Sequence, residues 1–381
     1  MKAKKTILIL SDWFLPGYLA GGPIQSIVTL TSHLKEELHF KIITTDRDFK
    51  ATKPYDGVKV NEWVNCQGRE VFYISSDNMT PEFVLHLIKN TAHDTIYLNS
   101  LFSKLFTIYP LRWKIKGELK SDIVLAPRGM LRNGALAVKP IKKQLFLVYA
   151  KLVGLFKHVR WQSTSAEETL EIKKQIGSEA NVTELSNFPT AIVASKPIDK
   201  TKGKLKLCFI ARIVDIKNLN FAINVLKQTT HHDILFDVYG PKEDEAYWQQ
   251  CEANAKFFPK HITFNYLGAL TPEKIGVIIS NYHALFLPTK TENFGHSIVE
   301  TLQLGRPVII SNQTPWRNLK HENAGFDLDL NDMAAFSEAI NFMAELNQEE
   351  FNRMCNDSSS FIHRQLNIEE LTSNYLTLFK A

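Results

Sequence analysis

Short apolar runs rich in β-branched and aromatic residues alternate with segments of helical period along almost the whole chain. That alternation predicts parallel sheets covered by helices. In the first half the runs are Thr6–Leu10, Lys41–Thr45, Val71–Ile74, Thr95–Leu98, Ile123–Ala126 and Val182–Leu185. Ile24, Ile27, Val28, Thr31, Leu34 and Leu38 recur at three and four, which predicts an amphipathic helix after the first strand. Pro81 and Gly177 stand where a helix start and a helix stop are expected. The pattern lapses in FPTAIVASKPIDKTKGK, a polar stretch rich in lysine and proline, and resumes with Leu205–Ile210, Ile234–Tyr239, Ile262–Tyr266, Ala284–Leu287 and Pro307–Ile310. The expected fold class is therefore α/β with two doubly wound, Rossmann-like domains, 1–189 and 204–365, joined by a linker over 190–203. The helical tail, 366–381, is expected to cross back onto the first domain. Two such domains predict a cleft, with ligands bound just after the strands.

Composition agrees with this and removes other classes. A chain of 381 residues with 44% hydrophobic side chains, 17 Gly and 15 Pro is neither collagenous nor disordered. Cys66, Cys208, Cys251 and Cys355 have no CxxC or zinc-ligand spacing, so no disulfide framework or structural metal is indicated. The apolar run near the N-terminus is too short for a signal peptide, and no apolar stretch approaches the ~18 residues that span a bilayer. A cytoplasmic protein is expected, at most peripheral on the inner face of the membrane.

Charge changes the picture more than composition does. The net charge of +5 divides into +9 for residues 1–200 and −4 for residues 201–381. No Asp or Glu occurs between Asp122 and Glu167, where Arg128, Arg132, Lys139, Lys142, Lys143, Lys151, Lys157 and Arg160 all fall. Such a run reads either as a solvated helix face or as a surface for anions, and an anionic membrane is the partner expected over 128–160. It lacks the interleaved aromatics of a nucleic-acid reader.

Four motifs carry candidate chemistry. In TENFGHSIVETLQLGRPVIIS, Glu292 and Glu300 stand on either side of Gly295, where a helix must begin. The backbone amides of Phe294, Gly295, His296 and Ser297 would then face an anion. In CFIARIVDIKNL, Arg212 and Lys217 follow a strand. PGYLAGGPIQSI places Gly21, Gly22 and Pro23 before a helix, and APRGML places Arg128 after a strand.

ENFGHSIVE followed by LGRPVIIS resembles the E-x7-E signature of retaining glycosyltransferases of family 4, which have the GT-B architecture. PRGML, TPWRNL and SAEE resemble the subset that makes bacterial surface polysaccharides. The resemblance implies transfer of a hexose or related sugar from a nucleotide diphosphate sugar to a glycan acceptor that is lipid-linked or an oligosaccharide. It implies Arg212, Lys217 and Glu292 as catalytic residues, and Gly22, Gly240, Asn293, Phe294, Gly295, His296, Ser297 and Glu300 as donor-binding. Gly21 and Arg128 would lie on the acceptor side, with Arg128 holding an acceptor phosphate, stabilising the reacting sugar or bracing its own loop. No cofactor and no metal are implied, and no side chain is an obvious nucleophile. A GT-B epimerase or hydrolase and a silent sugar-nucleotide-binding partner remain the alternatives. Asp46-Arg47-Asp48 matches the DxD of metal-dependent transferases but lies in a loop and is set aside. His231-His232 is read as an exposed polar connection.

Overall fold

The computed structural model describes residues 4–132, 135–136, 140–191, 198–229 and 232–380; Lys139, His231 and residues 192–197 of the expected linker lie outside them. The chain forms two compact units, one of residues 1–188 with 368–381 and one of residues 189–367.

The first unit holds an eight-stranded sheet of β1 (Thr6–Leu10), β2 (His39–Thr45), β3 (Trp63–Cys66), β4 (Arg69–Ile74), β5 (Thr95–Leu98), β6 (Asp122–Leu125), β7 (Val159–Ser163) and β8 (Val182–Glu184). Their order is β3-β4-β2-β1-β5-β6-β7-β8. All pairs are parallel except β3 with β4, an antiparallel edge hairpin. Ile7 and Ile9 face one apolar layer, Leu8 and Leu10 the other. Both faces are therefore buried, which is why these strands read as continuous apolar runs. The first helix, Gly22–His33, ends sooner than its periodicity suggests: Leu34 caps it and Leu38 lies just before β2. Thr80 and Ser165 cap the helices Pro81–Asn90 and Ala166–Ile176 by accepting from Phe83 N and Glu168 N.

The last helix, Ile368–Lys380, belongs to this unit. Phe379 is fully buried and meets Tyr97 edge-on at 5.6 Å, a burial that contributes about 1.5–3 kcal/mol. Arg160 donates to Leu378 O at 2.7 Å, and Gln162 donates to the Tyr375 hydroxyl at 2.9 Å.

The second unit holds a six-stranded, wholly parallel sheet: β9 (Lys204–Ile210), β10 (Asp233–Tyr239), β11 (Ile262–Tyr266), β12 (Ala284–Leu287), β13 (Val308–Ser311) and β14 (Gly325–Leu328). The order is β11-β10-β9-β12-β13-β14, so the direction of winding reverses between β9 and β12. Phe286 of β12 packs between Phe236 of β10 and Phe336 of the helix Met333–Glu345, its ring tilted against both.

Two residues read as exposed or linking are held in. Lys200 is buried, and its ammonium donates to Thr201 O, Ala344 O and Leu346 O, two of them at the end of the helix Met333–Glu345. Burial pushes its pKa down to about 8. His232 is only 14% exposed at its side chain and lies 3.4 Å from Glu345, which corrects the expectation of an exposed connection.

Candidate active site

In the second unit the candidate residues gather at the carboxyl ends of three adjacent strands, β10, β9 and β12, on both sides of the switch point. After β9 the chain runs through Arg212 into a short 3-10 turn, Asp215–Lys217, and Asn218 then turns left-handed at φ 63°. Asn218 donates from its side chain to Pro288 O at 3.0 Å, and Lys290 N donates to Ile216 O at 2.9 Å. These bonds stitch the β9 loop to the β12 loop and set Lys217 opposite Glu292. Lys217 Nζ donates to Glu292 Oε2 at 2.5 Å, with the two side chains 14% and 16% exposed. Burial alone would raise the Glu292 pKa, but the Lys217 ammonium and the Asn293 amide hold it below the usual carboxylate value. The Glu292 carboxylate is thus ionised and fixed in place before any ligand arrives.

The helix His296–Gln303 begins at Gly295, whose φ of 78° lies in the left-handed region. A Cβ there would meet Ile298 Cδ1 at 2.9 Å and Glu292 Cγ at 3.0 Å, so only glycine lets the carboxylate and the helix start approach. Ile298 N and Val299 N are the first amides to bond inside the helix, both to Gly295 O. His296 and Ser297 precede them at the positive end of the helix. Phe294 is clamped from behind: its carbonyl accepts from Trp316 Nε1 at 2.6 Å, and its ring meets those of His296 and Trp316 edge-on.

Glu300 lies one helical turn further in and is 5% exposed. Oε1 accepts from the Thr190 hydroxyl at 2.8 Å, while Oε2 has no partner among the described residues. Burial pushes its pKa up to about 7, against the smaller lowering by Thr190. A buried carboxyl with one open oxygen is costly unless a donor reaches it. A vicinal pair of hydroxyls supplies such donors.

Arg212 is held by Glu243, Nη1 to Oε2 at 2.5 Å. Gly240, at φ 145°, leaves no room for a side chain: a Cβ would sit 1.8 Å from Ala211 O. It keeps the β9 and β10 loops in contact. Glu243, Trp316 and Thr190 were not among the residues singled out from sequence; Trp316 lies in the TPWRNL motif, while Glu243 and Thr190 carry no local signal.

In the first unit, Gly21 ends the loop after β1 and caps the first helix, Gly22 is that helix's first residue, and Arg128 lies in the loop after β6, on the other side of β5. Arg128 is backbone-strained, with φ 55°. Its guanidinium donates to Asn99 Oδ1 at 2.7 Å, to Asn187 Oδ1 at 2.5 Å and to the Tyr97 hydroxyl at 2.7 Å. Asn99 in turn donates to Pro23 O at 2.9 Å, so one polar network joins the GGP loop to the PRGML loop. Glu168, from SAEE, is buried and accepts from Gly129 N and Thr164 N. Asp48 accepts from Tyr18 N and Leu19 N, and Asp46 pairs with Arg47. The DxD look-alike therefore braces the loop before the first helix. No group of three or more His, Cys, Asp or Glu among the described residues is arranged to hold a metal ion.

Residues 193–359 match the family model described as glycosyl transferases group 1, a span that covers the β9–β12 site. Over the whole chain the fold matches solved GT-B glycosyltransferase structures. Sucrose-phosphate synthase from Thermosynechococcus elongatus aligns at 14% identity, covering 99% of this chain and 98% of that one, with a TM-score of 0.71. Anabaena HepE in complex with UDP and glucose aligns at 12% identity, covering 99% of each chain, with a TM-score of 0.70. WaaG, a glycosyltransferase involved in lipopolysaccharide biosynthesis, aligns at 12% identity over 98% of each chain, with a TM-score of 0.65. A search of curated protein sequences gives no match.

Proposed function

We propose that this protein is a retaining, metal-independent glycosyltransferase of family 4. It moves a hexose or related sugar from a nucleotide diphosphate sugar to a lipid-linked glycan acceptor in the synthesis of a bacterial surface polysaccharide. The observation that carries the reading is the buried Lys217–Glu292 pair at the start of a helix whose next turn holds a carboxyl with an open oxygen. Glu300 accepts the ribose hydroxyls, the amides at His296 and Ser297 face the diphosphate, and Glu292 orients the sugar hydroxyls. Lys217 and Arg212 offset the charge that grows on the departing phosphate, Lys217 as a point charge and Arg212 through two forked donors. In the step itself the bond from the anomeric carbon to the phosphate oxygen breaks as the acceptor oxygen bonds on the same face. The acceptor proton passes to the leaving phosphate, so no protein nucleophile is needed.

HepE is described with UDP and glucose and WaaG in lipopolysaccharide biosynthesis; both are in keeping with the donor and pathway proposed here. The test is release or transfer of labelled sugar from a panel of UDP-, GDP- and ADP-sugars, with and without a chelator. Turnover of one donor, unaffected by chelator and lost in Glu292→Gln, is the expected result. Isomerised sugar without acceptor would make the protein an epimerase, and turnover of none would overturn the reading.

A further inference from the structure

We propose that the helix Pro140–Leu152 docks on an anionic lipid bilayer, its outer ridge entering the membrane interface. The helix has two apolar faces. Leu147 and Ala150 are buried against the first unit, with Phe146 partly so and edge-on to Phe102 and Phe156. On the opposite side Ile141, Leu145, Val148, Tyr149 and Leu152 are exposed, Ile141 at 72%, Leu145 at 66% and Leu152 at 82%. At 3.6 residues per turn these five positions fall in one wedge of roughly 100°. Val153, also exposed, continues the ridge into the following turn. A water-facing helix surface normally carries charge there, and an apolar ridge of this length marks an interaction site.

The charges around the ridge select the occupant. Of the basic run, Arg128 is engaged by Asn99, Asn187 and Tyr97, and Arg160 by Leu378 O and Asp122. Arg132 donates to Ser165, and Lys143 to Ala135 O. Lys142, Lys151 and Lys157 remain exposed. Lys142 and Lys151 fall on opposite flanks of the ridge, and Lys157 follows the helix. Their stems can lie along the acyl chains while their ammonium groups reach anionic headgroups. The stretch between Asp122 and Glu167, which includes this helix, contributes no acidic residue to that surface. An apolar ridge flanked by lysines matches a surface that is apolar within and anionic at its edge, which a bilayer with anionic headgroups presents. No helix among the described residues is long and apolar enough to cross a membrane, so this one lies in the interface plane.

The proposal extends the reading of a lipid-borne acceptor, on which its biological sense rests, but it is tested apart from transfer. The full chain is sedimented with vesicles of phosphatidylcholine, alone or mixed with phosphatidylserine. Binding to the mixed vesicles should be stronger than to neutral ones by roughly tenfold or more. Leu145→Glu with Leu152→Glu should weaken it by roughly tenfold or more, with an unchanged far-UV spectrum. The milder Leu145→Ser with Leu152→Ser serves if the glutamates unfold the helix. Lys142→Gln, Lys151→Gln and Lys157→Gln together should abolish the preference for phosphatidylserine. Absence of binding by the unaltered chain would overturn the proposal. So would a dimer in the ultracentrifuge that the leucine variants dissolve, since a second copy would then cover the ridge. Turnover of a soluble nucleotide sugar should be the same in all these variants; its absence throughout, with vesicle binding intact, would sink the transferase reading alone.

Discussion

Replacing Glu300 by Gln isolates the protonation of a carboxyl that the fold holds out of water. Its ordinary value of 4.5 is pushed up to about 7 by burial, and Thr190 is the one donor whose bond to it is resolved among the described residues. Between those values the folded chain keeps a proton that the unfolded chain has lost. Stability therefore falls as pH rises through the window, and the contribution is complete only below 4.5. A displacement of this size corresponds to roughly 3 kcal/mol at about 1.36 kcal/mol per pH unit. A glutamine at this position cannot titrate. Burying its two amide hydrogens has a fixed cost, and that cost cancels when the two proteins are compared across pH. The melting temperature of the variant minus that of the unaltered chain should thus rise between pH 4.5 and pH 8. For a unit of 150–250 residues the rise should be roughly 6–12 °C. Scanning calorimetry of both proteins measures it, read at the transition that moves with pH. Two curves that stay parallel to within about 2 °C would refute the burial argument. Nucleotide binding offers a second readout: ribose hydroxyls favour the ionised carboxylate, so binding near neutral pH should release a proton, seen by calorimetry in buffers of different ionisation heat.

Lys217→Met leaves the Glu292 carboxylate buried without its ammonium partner and should cost about 3–5 kcal/mol in urea unfolding, whereas Lys217→Met with Glu292→Gln should recover most of that. Both proteins should transfer sugar at least about a hundredfold more slowly, and an active double variant would remove the pair from the mechanism. Arg128→Gln withdraws three donors from Asn99, Asn187 and Tyr97 and should lower the stability of the first unit by about 2–4 kcal/mol, with UDP binding unchanged. A normal melt with a raised KM for acceptor would instead assign Arg128 to the acceptor.

The strands were legible because parallel sheets bury both faces. β1, β5, β11 and β12 match their apolar runs residue for residue. Three strands were missed for identifiable reasons. β3 is a half-exposed edge of mixed polarity, joined to β4 by Gln67 and Gly68, both at positive φ, a hairpin turn without the usual Asn-Gly signal. β7 hides behind Gln162, fully buried yet hydrogen-bonded to Tyr97, Leu185 and Tyr375. β14 is four residues long and begins with Gly325. At the site, the motif spacing brought Lys217, Glu292 and the helix start onto adjacent strand ends. What it could not give were partners supplied by distant segments. Glu243 on Arg212, Thr190 on Glu300 and Asn187 on Arg128 are separated from those residues by 31, 110 and 59 positions. No local pattern announces such pairs.

The last helix gives the first unit an order of assembly. Residues 368–380 supply Leu371, Tyr375, Leu378 and Phe379 to a core whose other buried members were all made by Phe188. On a ribosome that core waits, with Tyr97, Gln162 and Phe188 uncovered, while the whole of the second unit is synthesised. The second unit, continuous from 189 to 367, has no such wait. The second unit can therefore be complete before the sheet that precedes it in the sequence is sealed. Loss of a dozen C-terminal residues should expose an apolar seam in the half of the protein furthest from the cut in sequence.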